Sequence, residues 1–370
     1  MYVNFPKYIY NTYNNIYFLN NRPSPLHASS SYHLLLNAET RLRPRRKKKA
    51  NMVDLGKIEH SRLPIRSDIG NLNLHIAQIG KGELGTVVFL HGFPEIWYTW
   101  RYQMIAVADA GFRAIAPDFR GYGLSDQPPE PEKATFEDLI GDLLGILDAL
   151  GVPKAFLISK DFGAFPAYHF AIRHPDRVQG LVTLGIPYTP TGFEQMLSLP
   201  EGFYIKRWRE PGRAEADFGR HDAKTVVRNV YILFSKSEIP IAAEGQEIMD
   251  LVDPSTPLPP WFTEEDLEAY GALYKNSGFR FPLQIPYRQL SEQRPVAADP
   301  TIKQPALLIM GEKDYVIKFP GIGEYVRSET QKKFIPNLEL KFLPEGSHFV
   351  HEQNPEEVNE LILDFLKRNI

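Results

Sequence analysis

The stretch that decides the fold is Ala155-Phe-Leu-Ile-Ser-Lys-Asp-Phe-Gly-Ala164. Its first four residues are apolar and predict a short buried strand, and the apolar residues after Gly163 predict a helix. A strand that turns sharply into a helix through a small residue, a nucleophile and a glycine, each separated by one residue, forms a nucleophile elbow. The nucleophile position is held by Asp161, and a carboxylate that attacks saturated carbon leaves an alkyl ester that water must hydrolyse. Because an aspartate after a strand is more often a loop or cap residue, the rest of the chain has to support this interpretation.

The composition predicts a soluble globular protein. With 43% hydrophobic and 24% charged residues over 370 positions, the chain can bury a large core. The absence of cysteine excludes disulfides, cysteine-ligated metals and thiol nucleophiles, and no His-Glu-x-x-His pattern occurs. Residues 53–370 carry 33 basic and 44 acidic side chains, so this body offers no basic face. We expect no metal, no nucleic acid partner and no membrane span.

Residues 1–52 differ from the body in charge, with nine Lys or Arg residues against the single acid Glu39. They contain no sustained apolar run, which excludes a secretory signal and a membrane span, and they end in a basic tract at 41–49. The scarcity of acids fits an organelle transit peptide, and the basic tract fits nuclear import or phosphate binding. We favour a disordered leader, with translation starting at Met52, and therefore a cytoplasmic protein. A transit peptide would instead place the protein in an organelle.

Residues 53–370 alternate between apolar runs typical of buried strands and amphipathic helices, which implies a mainly parallel sheet with helices on both faces. A strand pair is predicted between Leu63 and Gly80, and alternation at 338–342 predicts a half-exposed edge strand. Thr135 and Asp138 predict a capping box at the start of a helix. The runs that predict buried strands are Val87–Leu90, Phe112–Ala116, Ala155–Ile158, Gly180–Gly185 and Ala306–Met310.

The pattern changes between residues 189 and 290, where buried-strand runs stop and aromatic, proline-rich and helical pieces replace them. The strand and helix alternation resumes afterwards. We therefore predict a helical cap at 189–290, inserted into one α/β core made of residues 53–188 and 291–370, with residues 1–52 as the leader.

Hydrolysis of an ester on Asp161 requires a base and a residue that orients the base, and two residues further along the chain are candidates for these roles. Asp314 follows the predicted strand at 306–310, and His348 follows the predicted strand at 338–342. Both lie at the carboxyl ends of strands, as the elbow does, and the order along the chain is nucleophile, acid, histidine. We expect His348 to take the proton of the hydrolytic water and Asp314 to orient the histidine and stabilise its imidazolium.

Backbone N–H groups at two positions are expected to stabilise the oxyanion that forms when the ester is hydrolysed. Gly92-Phe93-Pro94 leaves a predicted strand with a tight backbone, and Phe162 follows the nucleophile. Since proline has no N–H, we expect Phe93 and Phe162 to be the donors.

A phenol reaching over the nucleophile from the cap could protonate an oxygen leaving group. Composition does not choose among the tyrosines of the cap, most of which are expected to be packing residues. The cap tyrosines considered are Tyr204, Tyr231, Tyr270, Tyr274 and Tyr287.

Several stretches resemble the epoxide hydrolases of the α/β-hydrolase superfamily, the plant soluble type in particular. They are the segment His91–Gln103, the loop Asp118–Asp126, the aspartate elbow, Asp314 and His348, and the resemblance covers nearly all of residues 58–368. It implies the α/β-hydrolase fold, a mainly parallel sheet with helices on both faces and an inserted helical cap. It also implies cofactor-independent hydrolysis of a small apolar epoxide to a vicinal diol.

The same resemblance implies which cap tyrosines activate the epoxide oxygen. The segment 203–212 is similar to the one that carries the first such tyrosine, which maps to Tyr204. The segment 285–290 is similar to the one that carries the second, which maps to Tyr287. Trp97 and Lys160 are further candidates for substrate binding.

Three positions depart from the usual pattern of this family. Lys160 stands where the family usually has histidine, Phe162 where it has tryptophan, and Pro286 where it often has another tyrosine. Lys160 is open to two interpretations. It either pairs with a nearby carboxylate as a structural residue, or its charge keeps Asp161 ionised or contacts an acidic group of the substrate.

Two other functions stay open. A haloacid or haloalkane dehalogenase would use the same Asp-His-Asp triad, although such enzymes use a tryptophan as halide ligand at the position of Phe162. A non-catalytic, ligand-binding protein on the same scaffold would show slow or vestigial turnover. The sequence does not identify the epoxide, and a homodimer is left open.

Overall fold

The strand that leads to Asp161 lies inside an eight-stranded sheet in the computed structural model, which describes residues 54–67, 70–190, 198–289 and 298–370. The predictions for the leader at 1–52 lie outside the described residues. The strands are β1 (Glu59–Ser67), β2 (Gly70–Ile79), β3 (Thr86–Leu90), β4 (Arg113–Pro117), β5 (Ala155–Lys160), β6 (Val178–Leu184), β7 (Ala306–Gly311) and β8 (Leu338–Leu343).

The order of the strands across the sheet is β1-β2-β4-β3-β5-β6-β7-β8. Neighbouring strands from β4 to β8 pair in parallel, whereas β2 pairs antiparallel with both β1 and β4. The mainly parallel sheet predicted from the apolar runs is therefore confirmed. The predicted strand pair at 63–80 corresponds to β1 and β2, and its turn at 68–69 lies outside the described residues.

Burial along the strands follows their positions in the sheet. The inner strands β5 and β7 are buried at every residue, as continuous apolar runs predict for strands covered on both faces. The edge strand β8 is mostly half-buried, in agreement with its alternating pattern.

Helices cover the sheet and fill the segment between β6 and β7. The helix α2 shows how local sequence fixes these elements. The Thr135 side chain accepts from the N–H of Glu137, and the Asp138 side chain accepts from the N–H of Thr135 at 2.8 Å, which completes the predicted capping box. The α-helices are α1 (Arg101–Asp109), α2 (Phe136–Ala149), α3 (Ala164–Arg173), α4 (Tyr204–Arg209), α5 (Arg213–Phe218), α6 (Ala223–Phe234), α7 (Glu264–Ser277), α8 (Arg280–Leu283), α9 (Ile322–Arg327), α10 (Val350–Gln353) and α11 (Pro355–Arg368).

The helices α4 to α8 lie in the chain between β6 and β7 and form the cap. A long connection with a 3-10 helix at Ile248–Leu251 joins α6 to α7, and a π-helix at Gln284–Arg288, which carries Tyr287, follows α8. The longer cap helices begin at side-chain caps, Asp222 for α6 and Thr263 for α7. Within the described residues, no helix combines the length and the apolar character that crossing a membrane requires.

The register of the parallel strands brings three strand ends to one edge of the sheet. Lys160, the last residue of β5, pairs with Leu184 of β6, and Leu184 pairs with Ile309 of β7. Gly311, at the end of β7, pairs with Leu343, at the end of β8. The residues that follow β5, β7 and β8 therefore meet at this edge, which explains why distant parts of the chain can build one site.

The turn after β5 tolerates no side chain at Gly163. A Cβ atom added there would collide with the carbonyl oxygens of Leu90 and His91, which end β3 and begin its loop. By contrast, a Cβ atom added at Gly141, on the exposed face of α2, would meet nothing within 4 Å.

We expect Gly163→Ala to lower the free energy of unfolding by about 2 kcal/mol or more, because overpacking moves the backbone of two buried elements. Gly141→Ala should raise it by about 0.5–1 kcal/mol, because alanine favours a helix interior. Urea denaturation followed by circular dichroism measures both changes. Equal effects of the two substitutions would contradict the close approach of the elbow to β3.

Candidate active site

Asp161 lies at the turn between β5 and α3, with its backbone in the left-handed region at φ 50°. This conformation is rare for a residue with a side chain and marks strain at a functional position. The strain lifts the carboxylate above the strand end, where it is only 5% exposed. Gly92 passes so close that a Cβ atom there would collide with the side chain of Asp161. The elbow is thus built from one strained aspartate and the glycines packed around it.

The carboxylate of Asp161 is held by backbone and side-chain donors. The N–H of Phe93 donates to Oδ1 at 3.1 Å, and the N–H of Phe162 also bonds the carboxylate. Burial raises the pKa of Asp161, but hydrogen bonding to His348 and the charge of Lys160 outweigh burial, so the pKa lies below its ordinary value. The side chain is therefore an ionised, buried carboxylate with Oδ1 bound in the expected oxyanion hole.

His348 connects the two carboxylates of the site. Its Nδ1 lies 3.0 Å from Oδ1 and 3.2 Å from Oδ2 of Asp314, and its Nε2 lies 3.4 Å from Oδ2 of Asp161. Burial and the charge of Lys160 lower the pKa of His348, but the two carboxylates outweigh them and raise it above its ordinary value. Donation from Nδ1–H to Asp314 leaves Nε2 to face Asp161. The structure thus brings together the three residues predicted as a triad.

The cap places two tyrosines over this edge of the sheet. Tyr204 begins α4, and Tyr287 lies in the π-helix, with their ring centroids 6.0 Å apart. The ring of Tyr287 lies 5.5 Å from that of Phe93 and 5.4 Å from that of Phe162. Tyr287 therefore lies next to the two residues whose N–H groups hold Asp161, and Tyr204 packs against Tyr287.

The other cap tyrosines have partners elsewhere. The hydroxyl of Tyr231 donates to Oε1 of Glu352 at 2.8 Å, and that of Tyr270 donates to the same atom at 3.3 Å. The ring of Tyr274 stacks on Phe279 at 4.4 Å. These contacts therefore distinguish Tyr231, Tyr270 and Tyr274 from Tyr204 and Tyr287, a distinction that composition could not make.

Lys160 is fully buried and lies beneath the nucleophile. Its Nζ is 3.9 Å from Oε1 of Glu95 and 5.5 Å from the ring centroid of Phe349, and it has no hydrogen-bond acceptor among the residues that the structure describes. The pairing with a nearby carboxylate is thus observed. Its charge also lowers the pKa of Asp161, whereas contact with an acidic group of the substrate stays a prediction from the sequence.

Trp97, the other candidate for substrate binding, packs at the antiparallel side of the sheet. Its ring lies 4.7 Å from that of His60 and 5.6 Å from that of Tyr98. Its backbone N–H donates to Asp118 at 2.8 Å. These contacts give Trp97 a packing role, and substrate binding by this residue stays a prediction from the sequence.

A buried polar cluster next to Lys160 was missed by the sequence analysis. Glu95, His351 and Glu352 have ligand atoms within 4.8 Å of one another, an arrangement that a metal ion could share. Two cations already lie against it, since Arg101 bonds Glu352 at 2.6 Å and Lys160 faces Glu95. The proximity of His351 and Glu352 to His348 in sequence was the available signal. Their convergence with Glu95 depends on tertiary packing.

His91 stabilises the loop that carries the oxyanion donor. Its Nε2 accepts from the N–H of Phe119 at 3.0 Å, and its Nδ1 lies 2.9 Å from the carbonyl oxygen of Gly92. Burial lowers the pKa of His91 to about 4, which keeps the ring neutral. A neutral ring with Nδ1–H donating and Nε2 accepting satisfies both contacts.

Comparisons with known proteins agree with this geometry. Residues 85–355 match the family model of the α/β hydrolase fold. The chain is 39% identical over 324 residues to epoxide hydrolase 1 of Siraitia grosvenorii, across 84% of this chain and 99% of that protein. Potato (Solanum tuberosum) epoxide hydrolase I matches with a TM-score of 0.75 and 32% identity, across 84% of this chain and 100% of that one. A Vigna radiata epoxide hydrolase variant matches with a TM-score of 0.75 and 33% identity, across 85% and 99%.

The chain is thus an α/β-hydrolase by fold and by family model. Within that fold it belongs to the epoxide hydrolase family, of the plant type. The fold class and the resemblance stated from the sequence are confirmed.

The buried cluster also makes stability depend on pH. Burial, partly offset by the charge of Lys160, raises the pKa of Glu95 from 4.5 to about 7. The folded chain therefore holds this proton over a pH range in which the unfolded chain has released it. The contribution of Glu95 to the free energy of unfolding is fully present below pH 4.5 and is lost as the pH rises through about 7.

Glu95→Gln should remove this dependence, because glutamine does not titrate. Relative to the unchanged protein, the variant should gain about 3 kcal/mol in free energy of unfolding between pH 4.5 and pH 8. Urea denaturation at several pH values measures the difference. Glu329→Gln is the matched control, because the side chain of Glu329 is 80% exposed. A pH-independent difference for Glu95→Gln would contradict the raised pKa.

Proposed function

We propose that this protein hydrolyses an epoxide to a vicinal diol through an alkyl ester on Asp161. The observation that carries the proposal is the position of the carboxylate. One of its oxygens is bound by the N–H of Phe93, while the other faces His348 at 3.4 Å, beneath two cap tyrosines. Family membership supports the same reaction, because the relatives named above are epoxide hydrolases.

In the first half-reaction, Oδ2 of Asp161 attacks an epoxide carbon and the bond from that carbon to the ring oxygen breaks. Oδ2 is the attacking atom because Oδ1 is held by the N–H of Phe93. Tyr204 and Tyr287 donate hydrogen bonds to the ring oxygen, and a proton from one of them converts the alkoxide to an alcohol. The product of this step is a hydroxyalkyl ester of Asp161 and a tyrosinate.

In the second half-reaction, His348 takes a proton from water, which attacks Cγ of the ester. The oxyanion is stabilised by the N–H groups of Phe93 and Phe162, and the carbonyl carbon then releases the diol oxygen. Asp314 holds Nδ1 of His348 and stabilises the imidazolium that forms. The proton held by His348 restores the tyrosine, and the second proton of the attacking water passes to the released diol oxygen. Asp161 is left as a carboxylate, so the cycle consumes one epoxide and one water.

The aromatic surroundings of the two tyrosines favour an apolar substrate. Trp208 lies 5.2 Å from Tyr204 and 5.0 Å from Tyr287, and Phe234 lies 4.8 Å from Tyr204, all measured between ring centroids. Such a surface binds hydrocarbon parts of a ligand and excludes water. A cytoplasmic location and a homodimer stay predictions from the sequence.

Trapping the ester tests the proposal. The full chain with His348→Gln should complete the first half-reaction and stop, because no base activates water. After mixing with an epoxy fatty acid or with styrene oxide, intact mass should increase by the whole mass of the epoxide, and peptide mapping should place the adduct on Asp161. His169→Gln, on α3, is the control and should turn over without accumulating an adduct.

Other outcomes of the trapping experiment would overturn the proposal. A haloacid that adds its mass minus hydrogen halide, while epoxides add nothing, would make the protein a dehalogenase. If no compound forms an adduct and the unchanged protein is also inert, the protein binds its ligand without catalysis.

We further propose that Lys160 sets the acid limb of this reaction. Its charge lowers the pKa of both Asp161 and His348, which favours an ionised nucleophile and a neutral base. Lys160→Met should raise both pKa values, so the low-pH limb of kcat/KM should move to higher pH. Lys303→Met, whose side chain is 76% exposed, is the control. Unchanged turnover with an unchanged acid limb would leave Lys160 only a structural role.

A further inference from the structure

A third phenol lies beside the two cap tyrosines, and it comes from the core. Tyr315 directly follows Asp314 and begins a short 3-10 helix after β7. It is 3% exposed, and its hydroxyl oxygen lies 3.2 Å from that of Tyr204. Its ring centroid lies 4.8 Å from that of His348. Tyr315 therefore contacts both a cap tyrosine and the histidine of the site, although nothing in the motif analysis singled it out.

We propose that Tyr315 is a positioning residue that donates its O–H to Tyr204 and so makes Tyr204, rather than Tyr287, the proton donor to the alkoxide. The inference rests on the proposed function and assigns unequal roles to two tyrosines that the family resemblance treats as a pair. Tyr287 then polarises the ring oxygen by a hydrogen bond and keeps its proton.

The direction of the hydrogen bond follows from what Tyr204 has to do. A phenol has one proton to donate and an oxygen that can accept. If Tyr204 directs its proton at the epoxide oxygen, its own oxygen can only accept from Tyr315. The hydrogen bond from Tyr315 becomes stronger as negative charge develops on the oxygen of Tyr204, because hydrogen bonds to charged oxygens are stronger than those to neutral ones. The contact thus stabilises the transition state more than the ground state.

The surroundings of the two cap tyrosines also differ in whether a hydroxyl group lowers the pKa of the phenol. Burial and, to a smaller extent, the charges of Asp161 and Asp314 raise the pKa of Tyr204, whereas the hydrogen bond from Tyr315 lowers it. For Tyr287, burial comes first, and the charges of Tyr204 and Asp161 also raise the pKa. The rings packed around Tyr287 belong to Phe93, Phe162, Trp208 and Tyr204, and of these four only Tyr204 carries a hydroxyl group.

The step balances without an added reagent. The carbon–oxygen bond of the epoxide breaks as the bond to Oδ2 of Asp161 forms, and the ring oxygen receives the proton of Tyr204. Tyr204 becomes a tyrosinate that accepts a hydrogen bond from Tyr315, which remains protonated. The proton released when water attacks the ester restores Tyr204.

The test measures ester formation alone, in the full chain with His348→Gln. Rapid mixing with styrene oxide, followed by acid quench and intact mass, gives the rate of adduct formation. Adding Tyr315→Phe should lower this rate about tenfold at saturating epoxide, the equivalent of one neutral hydrogen bond, with little change in the half-saturating concentration. Tyr325→Phe is the matched control, because that hydroxyl bonds the carbonyl oxygen of Tyr188 and should leave the rate unchanged.

A double-mutant comparison separates a role through Tyr204 from a packing role. In a Tyr287→Phe background, Tyr315→Phe should lower the rate of adduct formation about tenfold. In a Tyr204→Phe background it should leave that rate almost unchanged, because its only effect passes through the hydroxyl of Tyr204. The cost should also shrink for an epoxide with an electron-withdrawing substituent, whose alkoxide needs less help from an acid.

Three results would overturn the inference. The first is an unchanged rate with Tyr315→Phe alone, and the second is an equal cost in both tyrosine backgrounds, which would indicate packing. In both cases the adduct still forms, so the proposed function survives. The third is the absence of any adduct from the His348→Gln chain with either epoxide, while the unchanged protein is also inert, which overturns the proposed function and this inference together.

Discussion

Keeping a carboxylate ionised inside an apolar interior is the constraint on which the rest of the structure depends. An uncompensated charge buried as deeply as the carboxylate of Asp161 would cost several kcal/mol. The chain offsets this cost with two backbone N–H groups, from Phe93 and Phe162, with the ring of His348 and with the charge of Lys160. In the proposed mechanism, the two N–H groups that stabilise the ionised carboxylate also stabilise the oxyanion that forms on Oδ1 when water attacks the ester at Oδ2. The strained turn therefore serves both half-reactions that we propose.

Lys160 shows how one charge can serve two groups with opposite needs. A cation beneath the elbow lowers the pKa of an acid and of a base alike, so it favours the charged form of Asp161 and the neutral form of His348. Asp314 acts against it on the histidine, and the balance leaves the pKa of His348 above its ordinary value. The charge of Lys160 also lowers the pKa of the neighbouring Glu95, but burial outweighs it and raises that pKa to about 7.

Much of the site could be predicted because its residues follow strands. Asp161, Asp314 and His348 each come directly after an apolar run or a turn from one, and parallel strands end at the same edge of a sheet. The choice of Tyr204 and Tyr287 required a family resemblance, since helical periodicity treats every cap tyrosine alike. Residues that meet only through tertiary packing gave no such signal. Glu95 and His351 are 256 positions apart in the chain, and their side chains lie 3.6 Å apart.

The cap tyrosines divide according to the carboxylate that they meet. Tyr231 and Tyr270 bond Glu352, which Arg101 of the core also holds, and Glu352 lies on α10, just after His348. Tyr287 packs against Phe93 and Phe162 at the edge where Asp161 lies, Tyr204 packs against Tyr287, and Tyr274 stacks on Phe279. Because the first pair is bonded to the element that follows the base, the cap cannot move away from the core without breaking buried hydrogen bonds next to the site. Tyrosines of the cap thus serve both to hold the cap against the core and to supply the two phenols to which we assign a catalytic role.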